Sequence, residues 1–512
     1  MIIGKIITQR ALITPHREAL IYGDRVFTFE QMNLRVNRLA NSLLALGVKK
    51  GDRVGLLMNN SNYFLESYFA VSKIGAVLVP LNTRLSVPEL EFILQDCGVT
   101  CFLFGSTFAG EVSQMAFCRE GRPMICDGAT DLNGVSDYEA FIAKARPDEP
   151  IADIKEEDLN VIMYTSGTTG YPKGAMLSHR GMYGAGVEML IGLHYQYPER
   201  CMILGPFFHS GSITPFLGHV VRGVCTVVMA KFDAYEALSL IERYRIKMMI
   251  GVTTIMKRML QVPELPKFNL SAWQYAILPG SPLPFEVVEE AHSRLGVLCQ
   301  NLWGMTELCG PGTFVNIEEI LNRPESAGTP YFNVDLRIVD YKGRQVPSGE
   351  VGELIVMAPH MMMGYWNRPE ATAETIRDGW LHTGDLARMD GDGFLYVIDR
   401  KKDMLVSGGE NVYPAEIERV IREIPQVLEV SVIGVADEEW GEVPRAFIQK
   451  VEGSPLSAES VISYCREKLA GYKIPKNIVF LDELPKTPSG KVLKRLLREW
   501  DKAAAESHPR SD

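Results

Sequence analysis

One stretch of the chain has a composition suited to holding a polyanion: Tyr164-Thr165-Ser166-Gly167-Thr168-Thr169-Gly170-Tyr171-Pro172-Lys173-Gly174. Three glycines leave backbone N–H groups unobstructed, four Ser and Thr hydroxyls add donors, and Lys173 adds a point charge. Such a loop can wrap phosphates. It is not a Walker A loop, because Tyr171 and Pro172 separate Gly170 from Lys173 and the G-x-x-x-x-G-K-[ST] spacing is absent. An isolated Gly/Thr-rich stretch is more often a plain surface loop. Here the apolar run Val161-Ile162-Met163 precedes it, so the loop is expected to leave from a sheet edge, where ligands bind.

The surrounding pattern supplies that sheet. Thr28 and Gln31 form a capping box ahead of an amphipathic run that ends at Gly47. Arg53 to Met58 reads as a buried strand, Tyr63 to Lys73 as a helix and Ala76 to Val79 as a strand before Pro80. Ser86 and Glu89 repeat the capping box, and Thr100 to Phe104 is again strand-like. Asp233 to Arg245 followed by Lys247 to Gly251 continues the rhythm. Such alternation predicts an α/β protein with parallel sheets covered by helices. From about Val334 the pattern becomes strand-rich, with Leu336 to Val339 and Gly352 to Val356. A tail of about 110 residues then reads as a small α+β domain. Its helices are expected at Pro414 to Glu423 and Leu456 to Leu469, and its strands at Glu429 to Gly434 and Ala446 to Val451. The expected division is 1–400 and 401–512.

With 512 residues the chain exceeds what one hydrophobic core organises. Its net charge of −10, from 53 basic and 63 acidic residues, argues against a nucleic-acid binder. Nine dispersed cysteines without a C-x-x-C pair suggest reduced thiols in a cytoplasmic protein. The N-terminal residues lack a signal-peptide pattern, and no apolar run is long enough to span a bilayer. Peripheral membrane contact is left open.

The loop at 164–174 resembles the phosphate-binding signature of the acyl-adenylate-forming superfamily, which includes acyl-CoA synthetases, luciferases and peptide-synthetase adenylation domains. Further segments match in the same order. Trp303-Gly304-Met305-Thr306-Glu307 resembles the segment whose aromatic ring stacks on adenine, whose Thr meets the α-phosphate and whose Glu helps hold magnesium. Mg²⁺ takes few protein carboxylates beside phosphate oxygens, so one Glu suffices. Trp303 stands where Tyr is usual. Pro279-Gly280-Ser281-Pro282 sits where relatives wrap the adenine with Gly-Gly-Ala-Pro. In Gly379-Trp380-Leu381-His382-Thr383-Gly384-Asp385, the resemblance assigns Asp385 to the ribose hydroxyls, and it brings Arg400 to the nucleotide. Pro485-Lys486-Thr487-Pro488-Ser489-Gly490-Lys491 resembles the catalytic-lysine motif, in which a cation relieves repulsion between carboxylate and α-phosphate. Lys494 and Arg495 open a basic helix expected to be solvated. His209 matches a residue near the acyl carboxylate that gates the thiol tunnel. The residues after it, Ser210, Gly211 and Ser212, include no carboxylate to pair a substrate ammonium.

The resemblance implies two half-reactions: adenylation of a carboxylic acid by ATP with Mg²⁺, then displacement of AMP by coenzyme A. It implies a mobile C-terminal domain turning about Lys402. Gly408 and Gly409 would line the pantetheine tunnel, and Arg84, Trp440, Lys473 and Lys476 would face CoA. An acyl pocket near Val252, Thr253, Leu278, Leu308 and Cys309 implies an apolar acid, whether aliphatic, alicyclic or aromatic. Relatives allow a homodimer. Three alternatives stay open: a ligase delivering acyl-AMP to a carrier protein, a non-catalytic adenylate-binding protein, and a luciferase-like oxygenase.

Overall fold

The computed structural model describes residues 1–165, 172–192, 200–280, 283–315, 319–323, 325–407, 410–437, 440–486 and 492–507, the side chains of 504–507 excepted. It divides into two compact units, Met1–Leu336 with Val356–Leu381 and Arg337–Ile355 with His382–Asp512.

Local signals set the first unit's helices. Thr28 accepts from the Gln31 N–H at 3.2 Å and the Gln31 side chain accepts from the Thr28 N–H at 2.9 Å, starting the helix Phe29–Ala45. Its buried face carries Phe29, Met32, Val36, Leu39 and Leu43, the three-and-four spacing of an amphipathic helix. Gly47 stops it at φ +94°. The Ser86–Glu89 box likewise starts Val87–Asp96. The helix Asn62–Lys73 is instead buried nearly all round.

Two sheets organise this unit. The first runs Gly364–Tyr365, Lys173–Ser178, Leu159–Thr165, Val77–Pro80, Arg53–Leu57, Val99–Phe104, Met124–Cys126, Val135–Asp137. Its strands from Leu159–Thr165 onward are parallel, and their apolar runs, such as Cys101 to Phe104, are wholly buried. The phosphate-loop candidate therefore does not leave from a sheet edge. Two antiparallel strands lie outside Leu159–Thr165, so the loop departs from the carboxyl end of an inner strand.

The second sheet runs Leu298–Gln300, Tyr275–Ile277, Met248–Ile250, Arg200–Ile203, Cys225–Val228, Glu18–Tyr22, Arg25–Thr28, parallel except for the last pair. Four neighbouring strands thus end on the same side. Beneath them lies an apolar core including Met249, Met256, Trp273, Leu278 and Val288, and burying each such side chain contributes about 1.5–3 kcal/mol.

The second unit contains the antiparallel ladder of Asp385–Met389 against Leu395–Arg400. Its tail forms a sheet in the order Glu410–Val412, Leu405–Ser407, Gly441–Lys450, Val427–Asp437, with Asn477–Leu481 parallel to Gly441–Lys450. The helix Pro414–Arg422 puts Ile417, Val420 and Ile421 on a core shared with Val430, Val432, Ala446 and Ile448. One expectation fails here. Lys494 is not solvated, because its ammonium pairs with Glu418 at 2.9 Å and its side chain is 17% exposed. Arg495 does lie at the surface, paired with Glu499.

Candidate active site

The candidate residues of the first unit stand at strand ends. Leu159–Thr165 and Lys173–Ser178 form a hairpin in which Thr165 faces Lys173, and the Thr165 hydroxyl donates to the Lys173 carbonyl at 3.4 Å. The loop's base is tethered: the Tyr164 hydroxyl donates to Asp96 Oδ2 at 2.5 Å and lies 3.2 Å from Cys97 Sγ. The Lys173 ammonium sits 5.4 Å from the centroid of the Tyr365 ring. Ser166, Gly167, Thr168, Thr169 and Gly170 lie outside the described residues, as do Ser281, Pro282, Gly408, Gly409 and Lys491.

Beyond the strand Leu298–Gln300, Trp303 precedes a tight hairpin, Gly304–Met305 against Gly310–Pro311, closed by a 3₁₀ turn at Thr306–Leu308. Two glycines make this possible. A Cβ on Gly304 would lie 1.9 Å from the Gly310 carbonyl oxygen, and one on Gly312 would lie 2.4 Å from the Trp303 ring. Glu307 is 7% exposed, and its Oε1 accepts a hydrogen bond from the Tyr365 hydroxyl at 2.8 Å. Thr306 is half-buried beside it. One hard carboxylate next to hydroxyls fits magnesium, which binds through few protein oxygens plus phosphate and water. Among the described residues there is no cluster of three or more His, Cys, Asp or Glu that would form an all-protein cage.

Gly280, exposed at φ +93°, follows the strand Tyr275–Ile277. Val252 and Thr253 follow Met248–Ile250 and open the helix Thr253–Leu260. Val252 and Leu278 share one apolar cluster. Leu308 and Cys309 are fully buried elsewhere, with the Cys309 carbonyl accepting from the Thr214 hydroxyl at 2.6 Å. His209 follows the strand Arg200–Ile203 and precedes the helix Ser210–Arg222, its ring 4.6 Å from that of Phe208. Asn60 fixes this loop, donating to the Gly205 carbonyl at 2.8 Å and accepting from the Phe207 N–H at 2.8 Å. Arg84 is exposed, with its backbone N–H on Asn82 Oδ1 at 3.0 Å.

Sequence reasoning missed Asn60 and Tyr365. The only hints were an Asn pair after a strand and an isolated Gly364-Tyr365-Trp366.

In the second unit Asp385 and Arg400 are register partners, with Arg400 Nε 2.6 Å from Asp385 Oδ1. Thr383 supports both, donating from its hydroxyl to the Leu354 carbonyl, accepting from the Asp385 N–H at 3.0 Å and offering its carbonyl to Arg400 at 3.3 Å. Burial pushes the Lys402 ammonium below its ordinary pKa; Asp403 opposes this and Arg400 adds to it. Lys473 holds Glu416 at 2.8 Å, and Lys476 lies 5.4 Å from the Trp440 ring centroid and 3.4 Å from Asp437.

The AMP-binding enzyme profile matches residues 7–366, and the AMP-binding enzyme C-terminal domain profile matches residues 416–491. The chain belongs to the AMP-binding enzyme family. Within this family it is similar to a feruloyl-CoA synthase of an Amycolatopsis species, 38% identical over 96% of this chain and 97% of that one. A long-chain-fatty-acid–CoA ligase of Mycobacterium tuberculosis is 37% identical over 97% and 98%. Among solved structures, the o-succinylbenzoate coenzyme A synthetase of Bacillus subtilis in complex with ATP and magnesium aligns with TM-score 0.86 and 32% identity, over 96% and 99%. This family member is an AMP-forming acid–CoA ligase that uses ATP, Mg²⁺ and CoA. No helix among the described residues is long and apolar enough to cross a membrane.

Proposed function

We propose that the protein activates an apolar carboxylic acid without an α-amino group and passes the acyl group to CoA, with the steps divided among named residues. The hydroxyl-and-glycine loop from Thr165 through Ser166, Gly167, Thr168, Thr169 and Gly170 to Lys173 grips the triphosphate. Gly280, Ser281, Pro282, Trp303 and Gly304 bound the adenine, and Asp385 with Arg400 holds the ribose. Thr306 donates to the α-phosphate, and Glu307 holds the magnesium that neutralises phosphate charge. Lys491 steadies the charge that shifts as the carboxylate attacks the α-phosphate and pyrophosphate leaves. His209 orients the acyl carboxylate. The acyl chain lies toward Val252, Thr253, Leu278, Leu308 and Cys309. CoA then approaches past Gly408, Gly409 and Trp440, with Arg84, Lys473 and Lys476 toward its phosphates, after a turn about Lys402.

The observation that carries this reading is convergence. His209, Val252, Gly280 and Trp303 follow four neighbouring parallel strands on one side of one sheet. In open α/β sheets ligands bind at such carboxyl ends. The absence of a carboxylate in Ser210-Gly211-Ser212 favours an acid without an ammonium group.

The division into an adenylating part, 1–400, and a C-terminal part, 401–512, has support from family matches ending at 366 and resuming at 416. The compact units draw their line differently, since Arg337–Ile355 and His382–Arg400 group with the tail. Nine free cysteines favour a reducing, cytoplasmic setting.

A panel of acids tests the substrate reading. Ferulate, fatty acids of graded length, 2-succinylbenzoate and α-amino acids are each supplied with ATP, Mg²⁺ and CoA, and AMP release is followed. Release with one or more of the apolar acids and none with amino acids is expected. Preference for an amino acid would overturn it.

A further inference from the structure

The segment Gly364–Arg368 has no role in the reading above, yet it ties together three parts of the nucleotide site. Gly364 and Tyr365 pair with Met176 and Ala175, forming the rim strand beside Lys173–Ser178. The Met362 N–H reaches the Glu307 carbonyl at 2.7 Å and the Trp366 N–H reaches the Gly174 carbonyl at 2.8 Å. The side chains then diverge. Tyr365 sends its hydroxyl to Glu307 Oε1 at 2.8 Å and presents its ring to the Lys173 ammonium at 5.4 Å. Trp366 Nε1 donates to the Asp96 carbonyl at 3.0 Å, and Arg368 pairs with Asp96 Oδ1 at 2.8 Å. Asp96 Oδ2 is the atom that accepts from Tyr164, at the base of the hydroxyl-and-glycine loop. One short strap thus holds the loop's entry, the lysine at its exit, and the carboxylate facing it.

We propose that Tyr365 is a positioning residue for magnesium: its hydroxyl fixes one oxygen of the Glu307 carboxylate so that the group meets the cation in a set orientation. The proposal rests on the assignment of Glu307 to magnesium. The physical reason is preorganisation. A buried carboxylate held by a single Glu side chain has three torsions to fix, and a hydrogen bond to an ionised acceptor is about twice as strong as a neutral one. The phenol also withdraws some charge from the carboxylate, which weakens its pull on a cation. Orientation dominates where such supporting bonds have been removed, with metal affinity falling about 10–100-fold. The ring has a second effect, since its π face attracts the Lys173 ammonium and limits where that charge can go.

The test uses the full chain with the substitution Tyr365→Phe, which keeps the ring and removes one hydroxyl. Mn²⁺ stands in for magnesium, and free Mn²⁺ is read by electron paramagnetic resonance in the presence of a non-hydrolysable ATP analogue. Mn²⁺ affinity should fall about 10–100-fold, and the Mg²⁺ concentration giving half-maximal pyrophosphate release should rise by a similar factor. Thioester formation from supplied acyl-adenylate should be unchanged, a pattern that a merely structural residue would not give. Glu307→Gln is measured alongside. If Glu307→Gln leaves Mn²⁺ affinity intact, the assignment of Glu307 itself fails. If Glu307→Gln loses the ion and Tyr365→Phe does not, the positioning role alone fails. Loss of folding by Tyr365→Phe would assign the hydroxyl to the fold and overturn the proposal as well.

Discussion

At the strand ends of the first unit, the candidate residues are placed by backbone shape. Gly304 and Gly312 leave room where a Cβ would strike a carbonyl or an indole ring, and the aromatic and hydroxyl groups sit where parallel strands stop. In the second unit, charges place charges. Asp385 faces Arg400, Asp403 faces Arg498 at 2.8 Å, and Glu418 takes both Lys494 and the Val432 N–H at 2.8 Å. The first arrangement should tolerate changes of charge around it better than changes of volume. The second should behave in the opposite way, because an ion left alone in a buried place is costly while a neutral replacement of both partners is cheap.

Lys494→Ala attacks the second arrangement at its most buried point. It leaves Glu418 with Arg422 at 3.3 Å and the Val432 N–H but without its ammonium, and a loss of about 1.5–3 kcal/mol is expected, the size of a hydrogen bond to a charged group. Chemical denaturation of the full chain measures it, and Lys494→Ala/Glu418→Leu should recover part of the loss. Asp385→Asn keeps the volume and removes the charge. The fold should survive, while the KM for ATP rises about 10–100-fold, the size of a hydrogen bond to a charged group. Steady-state kinetics at varied ATP checks this.

Gly312→Ala is the counterpart in the first unit, adding one methyl against Trp303. Overpacking should cost about 1–3 kcal/mol. Pairing it with Trp303→Phe should give a non-additive result, because the two positions touch. Additive losses would mean that the glycine is not there for the ring.

The last effect concerns pH; it is absent at neutral pH and grows only in acid. Burial pushes His219 down to about 3 and His179 down to about 4, from an ordinary 6.5. Both imidazoles are therefore neutral in the folded chain at pH values where the unfolded chain already binds protons. Stability should fall as pH drops from about 6.5 toward 4, with each histidine contributing a slope approaching about 1.4 kcal/mol per pH unit. His219→Gln should flatten part of that slope in unfolding titrations, whatever its effect on stability at neutral pH.

The same contrast explains what could be read in advance. The capping boxes at Thr28 and Ser86 and the apolar strand runs are local patterns, and each lands within a residue or two of its element. Trp303 to Glu307 and Asp385 were legible as short motifs. Tyr365 was not, because its meaning lies in a hydroxyl bond across 58 residues to Glu307. Asn60 reaches the Phe207 N–H across 147 residues, and no periodicity announces it. Lys494 looked like one basic residue at the start of an exposed helix, and only tertiary packing against Glu418 buries it. The expectation of a sheet edge failed because the chain returns as the strand Lys173–Ser178 beside Leu159–Thr165, and Gly364–Tyr365 joins outside it from far along the chain.

The central claim is that one enzyme carries out two chemistries with different groups, adenylation needing Lys491 and thioester formation not needing it. The direct measurement separates them in Lys491→Ala. Pyrophosphate release with acid and ATP should slow by about 100–1,000-fold, as for loss of one charge-stabilising donor. Thioester formation from supplied acyl-adenylate and CoA should stay within about threefold of the unaltered enzyme. Equal loss of both steps in a folded protein would contradict the account.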